Sequence, residues 1–390
     1  LIPVTAASPE GWKLVSRDEL LRPDSSLEGM KDLKTPFRPH GRVTAGNASP
    51  LTDGATVSLL AGEAAIKKHG LKPKMKLVSF AFAGVEPEIM GIGPIPATEK
   101  ALEKAGFPQG AINLLCGKGS EVGSHLVKHQ YTNQIVFTGS VPTGQRILRD
   151  AAERATPSVM ELGGKSAAIA FADVDLDQLL RSVKVGIFYN SGQVCSAMSR
   201  LLVHRSRFEE VKTAVMALAE SLTVGGGENN AELTPVVSHE QQQQILAMIE
   251  KAREEGANIL TGGYAPDLSG YFVLPTIIEA TPEMSIAQQE VFGPVMVIMP
   301  FETEDEAVAI ANGTDFGLVA GVFGENLNQT LRVANRLVAG QVFINEWFAG
   351  GIETPFGGVG LSGFGREKGQ EAIYSYVQTR NIGIRLKHSV

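Results

Sequence analysis

The 390 residues carry 35 Lys and Arg against 42 Asp and Glu, a net charge of −7, with 43% hydrophobic and 20% charged residues. That length accommodates two or three domains and a large core. There is no dense Lys/Arg run to suggest nucleic acid or an anionic membrane surface, and no apolar run approaching the ~20 residues that span a bilayer. The two cysteines, Cys116 and Cys195, make no disulfide framework and fit a reducing, cytoplasmic compartment.

The chain opens Leu1-Ile2-Pro3-Val4, with no initiator Met, basic stretch or apolar leader core, and reads as the middle of a longer sequence. Residues 1–55, with prolines at 3, 9, 23, 36, 39 and 50, read as loop-rich. A small-residue helix is predicted over 54–69. A strand is predicted over 75–83, where Leu77, Val78, Phe80 and Phe82 are apolar. Pro94 and Pro96 then lead into a helix from Ala97 to Lys104, closed by Gly106.

After Pro108 the pattern alternates regularly. Strands are predicted at Ile112–Leu115, Gln134–Thr138 and Val159–Leu162, the first two followed by glycine loops and helices ending at His129 and Glu153. Further on come a helix at Asp175–Tyr189, a strand at Arg200–His204, and helices at Phe208–Leu222, Glu240–Glu255, Glu304–Asn312 and Asn328–Arg336. A strand at Gln341–Asn345 follows. Such alternation argues for a parallel sheet covered on both faces. The tail from Tyr376 to Leu386 reads as an extended edge strand able to pair with another subunit.

Two residues carry the chemistry. Cys195 lies in Gly192-Gln193-Val194-Cys195-Ser196, and Glu161 lies 34 residues upstream in Glu161-Leu162-Gly163-Gly164-Lys165. A free thiol, with a pKa near ~8.5, is mostly protonated at neutral pH, so a cysteine nucleophile needs a base or a lowered pKa. A movable carboxylate at a strand end can activate water for a second, hydrolytic step. Taken singly, each residue has a blander reading: a buried structural cysteine, and a solvated glutamate. Cys116, at the end of an apolar run, keeps that structural reading. The loop Thr138-Gly139-Ser140-Val141-Pro142-Thr143-Gly144 joins a strand to a helix start, where backbone amides suit a pyrophosphate. Gly117-Lys118-Gly119 stands similarly after the preceding run.

From about Phe107 to Val390 these residues resemble the aldehyde dehydrogenase superfamily. The matching motifs are Phe137-Thr138-Gly139-Ser140-Val141-Pro142-Thr143-Gly144, Glu161–Lys165, Gly192–Cys195, Glu290-Val291-Phe292-Gly293-Pro294-Val295, and Pro355-Phe356-Gly357-Gly358 with Ser362-Gly363-Phe364-Gly365-Arg366-Glu367. The resemblance implies that Cys195 attacks an aldehyde, that hydride passes to NAD or NADP, and that Glu161 activates the water releasing the acid. It further implies that Gly139 and Ser140 line the pyrophosphate, and that Thr138, Leu162 and Gly163 lie against the nicotinamide. Glu290 would hold the nicotinamide ribose, Phe292 would position the ring, and the Cys195 N–H would be one oxyanion donor. Phe188, Tyr189, Trp347, Phe348 and Phe356 are the candidates for a substrate tunnel, with ordinary core as the equal alternative. No metal site is implied.

Residues 1–106 resemble the thiolase family instead. Val43-Thr44-Ala45-Gly46-Asn47-Ala48-Ser49-Pro50-Leu51-Thr52-Asp53-Gly54-Ala55 and Glu86-Pro87-Glu88-Ile89-Met90-Gly91-Ile92-Gly93-Pro94-Ile95-Pro96-Ala97 carry the likeness. This stretch has no cysteine, and His40 and His69 stand outside the thiolase histidine motif, so no thiolase activity is expected. The changeover falls near Lys100–Pro108.

The implied fold is α/β. A thiolase-like α/β fragment without catalytic residues (1–106) precedes a truncated Rossmann-like cofactor domain (107–162). A parallel-sheet catalytic domain (163–368) and a C-terminal oligomerisation-type segment (369–390) follow. The resemblance also implies an N-terminal part, with a second oxyanion donor and a ribose-side lysine, whose motifs are not found in these 390 residues. Asn47 belongs to the thiolase likeness and is no substitute. The expected activity is therefore NAD(P)-dependent aldehyde oxidation, impaired, with self-association weakened. An inactive fusion remnant and an acyl-CoA thiolase relative are the alternatives. Transfer of the acyl group to coenzyme A is disfavoured by the retained Glu161.

Overall fold

The computed structural model describes residues 4–8, 11–15, 26–35, 44, 46, 61–72, 78–86, 92–108, 110–227 and 231–385. It divides into two compact units, Leu1–Asn113 and Leu114–Val390. Among the described residues no helix is long and apolar enough to cross a membrane.

In the first unit, β1 (Val4–Ser8) and β2 (Gly11–Val15) pair antiparallel from Val4↔Val15 to Ser8↔Gly11, so the loop-rich reading of 1–55 missed a hairpin. Helix α1 (Leu27–Lys31) is capped by the Ser26 side chain, which accepts from the Gly29 N–H. Helix α2 (Glu63–His69) covers the end of the predicted 54–69 helix; residues 54–60 lie outside the described set. Gly70 closes it at φ 60°, a conformation glycine takes without strain. Helix α3 (Pro94–Lys104) starts three residues earlier than predicted, because Pro94 itself supplies the first turn. Of the predicted strand 75–83, residues 75–77 lie outside the described set and 78–83 form no strand; Ser79 Oγ and Lys104 Nζ instead tie this stretch to α3 through Ala101 O and Phe80 O. Residues 112–115 form no strand either, and Leu114, Leu115 and Cys116 are exposed, which overturns the buried reading of Cys116.

The second unit runs α4 (Ser124–Lys128), β3 (Ile135–Thr138), α5 (Val141–Ala152), β4 (Ser158–Glu161), β5 (Ala167–Ala170), α6 (Leu176–Val183), β6 (Arg200–His204), α7 (Phe208–Ser221) and α8 (His239–Glu254). Then come β7 (Asn258–Thr261), β8 (Thr276–Glu279), α9 (Ser285–Gln288), β9 (Val295–Phe301), α10 (Glu304–Asn312), β10 (Phe316–Gly317), β11 (Val319–Phe323) and α11 (Leu327–Ala334). The last are β12 (Gln341–Ile344), β13 (Val359–Gly360), β14 (Gly363–Phe364) and α12 (Glu371–Tyr374). The predicted helix 175–189 ends at Val183, passing through a wider coil (Lys184–Phe188) into a tight turn. No strand is present over 376–385.

Seven strands make the main sheet, in the order β12-β11-β5-β6-β9-β8-β7, parallel except for β7. Alternate residues feed two cores. Ala167, Ile169, Leu202, Val297 and Met299 face one side, beneath α8 and α10 (Ile245, Ile249, Ala307, Ala311). Ala168, Ala170, Leu201, Val203, Met296 and Ile298 face the other, beneath α6 and α7 (Leu179, Val183, Val211, Val215). A three-stranded sheet, β14-β4-β3, stands apart with its own small core of Val127, Ile135, Ala151, Met160 and Leu162. In it β3 is an edge, and Val136 on it is exposed.

Candidate active site

Glu161 ends β4, the middle strand of the small sheet, with Thr138 opposite on β3 and Gly363 opposite on β14. Its carbonyl accepts from the Gly139 N–H (3.0 Å), and the next N–H, of Leu162, donates to Ser362 O (3.0 Å). The carboxylate is thus aimed by a strand held from both sides. It is buried, and neither oxygen has a hydrogen-bond partner. Loss of water, followed by the nearby negative charge of Glu367, pushes its pKa up to about 8, against a smaller opposing pull from Arg366. Gly357 passes close: a Cβ there would stand 2.6 Å from Glu161 Oε1.

Cys195 follows the turn Tyr189–Gly192, where Asn190 (φ 51°), Ser191 (φ 54°) and Gly192 (φ 70°) are all left-handed. Only glycine fits at 192, since a Cβ would lie 2.0 Å from the Gly293 carbonyl oxygen. Gly164 is constrained likewise: its Cβ would lie 2.3 Å from the Cys195 carbonyl oxygen. The strand end carrying Glu161 and the loop carrying Cys195 therefore meet backbone to backbone. The thiol is half-buried, and its pKa is raised by desolvation first, then by the charges of Glu290 and Glu161. Backbone N–H groups of Ser196 and Cys195 pull the other way. A cavity of about 10 Å³, room for a single water, lies beside it, lined by Gly164, Gly192, Glu290 and Phe292 among others.

Glu290 closes the group. Its Oε1 accepts from the Gly164 N–H (3.1 Å), and its Oε2 would stand 2.2 Å from a Cβ on Gly163, so the carboxylate lies across the glycine pair. Desolvation raises its pKa; the Gly164 bond and Lys165 oppose that. Phe292 is partly exposed with φ 53°, its carbonyl held by Gln241 Nε2 at 3.0 Å. Thr138, Gly139 and Ser140 are exposed at the start of α5. The Gly139 N–H is already committed to Glu161 O, so it offers no donor to a phosphate. Leu162 turns its side chain into the small core against Gly144, leaving only backbone toward the site.

The expected tunnel aromatics divide. Phe188 and Trp347 are buried in the core, Trp347 donating from Nε1 to Ser196 O (3.1 Å) while its ring lies against Gly186 and Gly321. Tyr189 and Phe348 are exposed and meet edge to face, with centroids 6.5 Å apart. Phe356 is half-buried beneath Lys368 Nζ, 5.3 Å from the ring centroid.

Sequence reasoning gave no role to Lys165, Arg200, Arg366 or Glu367. Lys165 is fully buried with its ammonium unpartnered, and burial, then Arg200, lowers its pKa to about 7 against the pull of Glu290. Arg200 is buried too and donates to Lys165 O (2.9 Å), Ile310 O (2.8 Å) and Ala311 O (2.7 Å), closing the C-terminal end of α10. The signal available was a lone cation interrupting each apolar run, at Lys165 before Ala167–Ala170 and at Arg200 heading Leu201–Val203.

Comparison with known proteins agrees with both resemblances. The thiolase N-terminal domain matches residues 1–64 and the thiolase C-terminal domain matches 71–119. The aldehyde dehydrogenase family model matches 96–382, so the two likenesses overlap across α3 and the residues following it. A putative aldehyde dehydrogenase, DhaS, of Bacillus subtilis (strain 168) is 39% identical over 288 residues, 73% of this chain and 58% of the relative. A betaine aldehyde dehydrogenase of Cereibacter sphaeroides is 41% identical over 297 residues, 76% of this chain and 61% of the relative. Among solved structures, the NAD+ complex of an aldehyde dehydrogenase from Bacillus cereus superposes with TM-score 0.72 at 39% identity, covering 76% of this chain and 60% of that one. A Staphylococcus aureus betaine aldehyde dehydrogenase in complex with NAD+ gives TM-score 0.69 at 38% identity, covering 74% and 58%. The chain thus spans about three-fifths of the length of these relatives. Over residues 96–382 it belongs to the aldehyde dehydrogenase family.

Proposed function

We propose that the chain oxidises an aldehyde to a carboxylic acid with NAD or NADP, using Cys195 and Glu161. The observation that supports this best is that Cys195 and Glu290 close on Gly163–Gly164, two residues past Glu161, glycines that leave no space for a Cβ. The Cys195 thiolate adds to the aldehyde carbonyl, and once the sulfur has spent its charge in that bond the Cys195 backbone N–H is free to donate to the oxygen that becomes charged. A nicotinamide dinucleotide, when bound, supplies the hydride acceptor that converts the thiohemiacetal to a thioester. The residues fit such a group: Glu290 stands across the glycine pair to receive a ribose, and the exposed Ser140, at the N-cap of α5, stands where a pyrophosphate would meet the helix start. Glu161 then takes a proton from water, the water oxygen adds to the thioester carbon, and the Cys195 thiolate leaves. NAD is the first cofactor to test, since the solved relatives named above hold NAD+. Cytoplasmic residence and self-association belong to the same proposal.

The test is formation of reduced cofactor by the purified chain on a panel of small aldehydes that includes betaine aldehyde. Turnover that vanishes in Cys195→Ala supports the reading. In Glu161→Gln the first hydride transfer persists as a burst while steady turnover falls by about 10²-fold or more. A folded chain that is silent with every pair favours the second reading, a family member without activity. That reading has its own observation: among the described residues β3 is an edge of its small sheet.

A further inference from the structure

The turn before Cys195 strings together three residues of positive φ, and two of them, Asn190 and Ser191, carry side chains. Such a conformation is strained and persists only where its surroundings hold it. Four side-chain hydrogen bonds do so. Ser191 Oγ donates to Thr234 O (2.6 Å). Gln193 Oε1 accepts from the Val237 N–H (2.8 Å), while its Nε2 donates to Asn190 O (3.2 Å). Asn190 Nδ2 donates back to Gln193 O (3.0 Å). The anchor is itself fixed, because the Leu233 N–H donates to Thr223 O (2.9 Å) and the Val236 N–H to Tyr271 O (2.9 Å). One amide side chain, Gln193, therefore spans the turn and its anchor.

We propose that Gln193 and Ser191 are positioning residues. They pin the left-handed turn to residues 234–237 and so hold the Cys195 and Ser196 N–H groups against the sulfur. Those two N–H groups oppose burial and the charges of Glu290 and Glu161 at the thiolate. A turn that relaxes takes them away, and the thiol becomes harder to ionise.

The inference rests on Cys195 as the reactive thiol of the proposed function. Its test needs neither aldehyde nor dinucleotide, so a failed activity assay leaves it standing. The rate of Cys195 alkylation by iodoacetamide is followed against pH on the full chain, by peptide mass spectrometry that separates Cys195 from the exposed Cys116. In Gln193→Met the midpoint moves up by about half a pH unit or more, and in Ser191→Ala it moves in the same direction by less. Asn312→Leu is the control: it removes a side-chain amide bond of similar kind, Asn312 Nδ2 to Arg336 O (2.9 Å), which touches neither the turn nor its anchor. Its midpoint stays with the parent. Superimposable profiles for Ser191→Ala, Gln193→Met and the parent overturn the proposal, and so does an equal shift in Asn312→Leu. Should Gln193→Met not fold, Ser191→Ala decides alone.

Discussion

Glu161 and Lys165 stand four residues apart around a glycine pair, both out of water and both without a hydrogen-bond partner for the charged end. Their effects on stability run in opposite pH windows. Glu161 is raised from 4.5 to about 8, so between those values the folded chain holds a proton that the unfolded chain has released. Stability therefore falls as pH rises through that window, and the loss is complete above about 8. Glu161→Gln is expected to raise the midpoint of thermal unfolding by several degrees at pH 9 and hardly at all at pH 4.5. Lys165 is lowered from 10.5 to about 7, so here the unfolded chain holds the extra proton, and stability drops as pH falls from 10.5 to 7. Lys165→Met is expected to gain several degrees at pH 6 and little at pH 10.5. Scanning calorimetry of the two variants at these pH values checks both signs; a gain independent of pH in either variant contradicts the burial argument.

The elements that carry the site are short turns between strands, and their sequences left no slack. Gly192→Ala would set a Cβ 2.0 Å from the Gly293 carbonyl oxygen in a left-handed conformation. Neither backbone can yield cheaply, so a loss of about 2 kcal/mol or more is expected in urea unfolding. Gly227→Ala, with nothing within 4 Å of the new Cβ, is expected to be close to neutral. Helices α7, α8 and α10, with their periodic signature, and strands β3, β4, β6 and β12 lie within a residue of their predicted bounds. Strands β5, β9 and β11 went unseen because both their faces are covered. Ala167–Ala170 and Val295–Phe301 are continuous apolar runs with no alternation to read. The opposite error, at 78–83 and 112–115, came from apolar stretches that find no partner strand. In the proposed site, the motif order pointed to Cys195 and Glu161. What it hid was the long-range closure, such as Glu290 reaching a backbone N–H 126 residues away, and the buried Lys165 beneath it.

At the scale of the molecule, burial is distributed very unevenly. The three apolar clusters all lie within Leu114–Val390, whereas none of the residues before Leu114 whose burial is described is buried. Stability of a domain comes chiefly from its apolar core, and the described core is all in the second unit. The cooperative transition of the full chain should then be that of the second unit alone. A chain beginning at Leu114 is expected to be folded, to melt within about 2 °C of the full-length protein, and to keep the Cys195 alkylation profile unchanged. Calorimetry and the alkylation assay measure the two halves of that expectation separately. A drop in melting temperature of about 5 °C or more, which for a unit of this size is over 1 kcal/mol, would assign the thiolase-like residues a share in holding the fold. An unchanged melting temperature with an altered alkylation profile would instead confine their influence to the site.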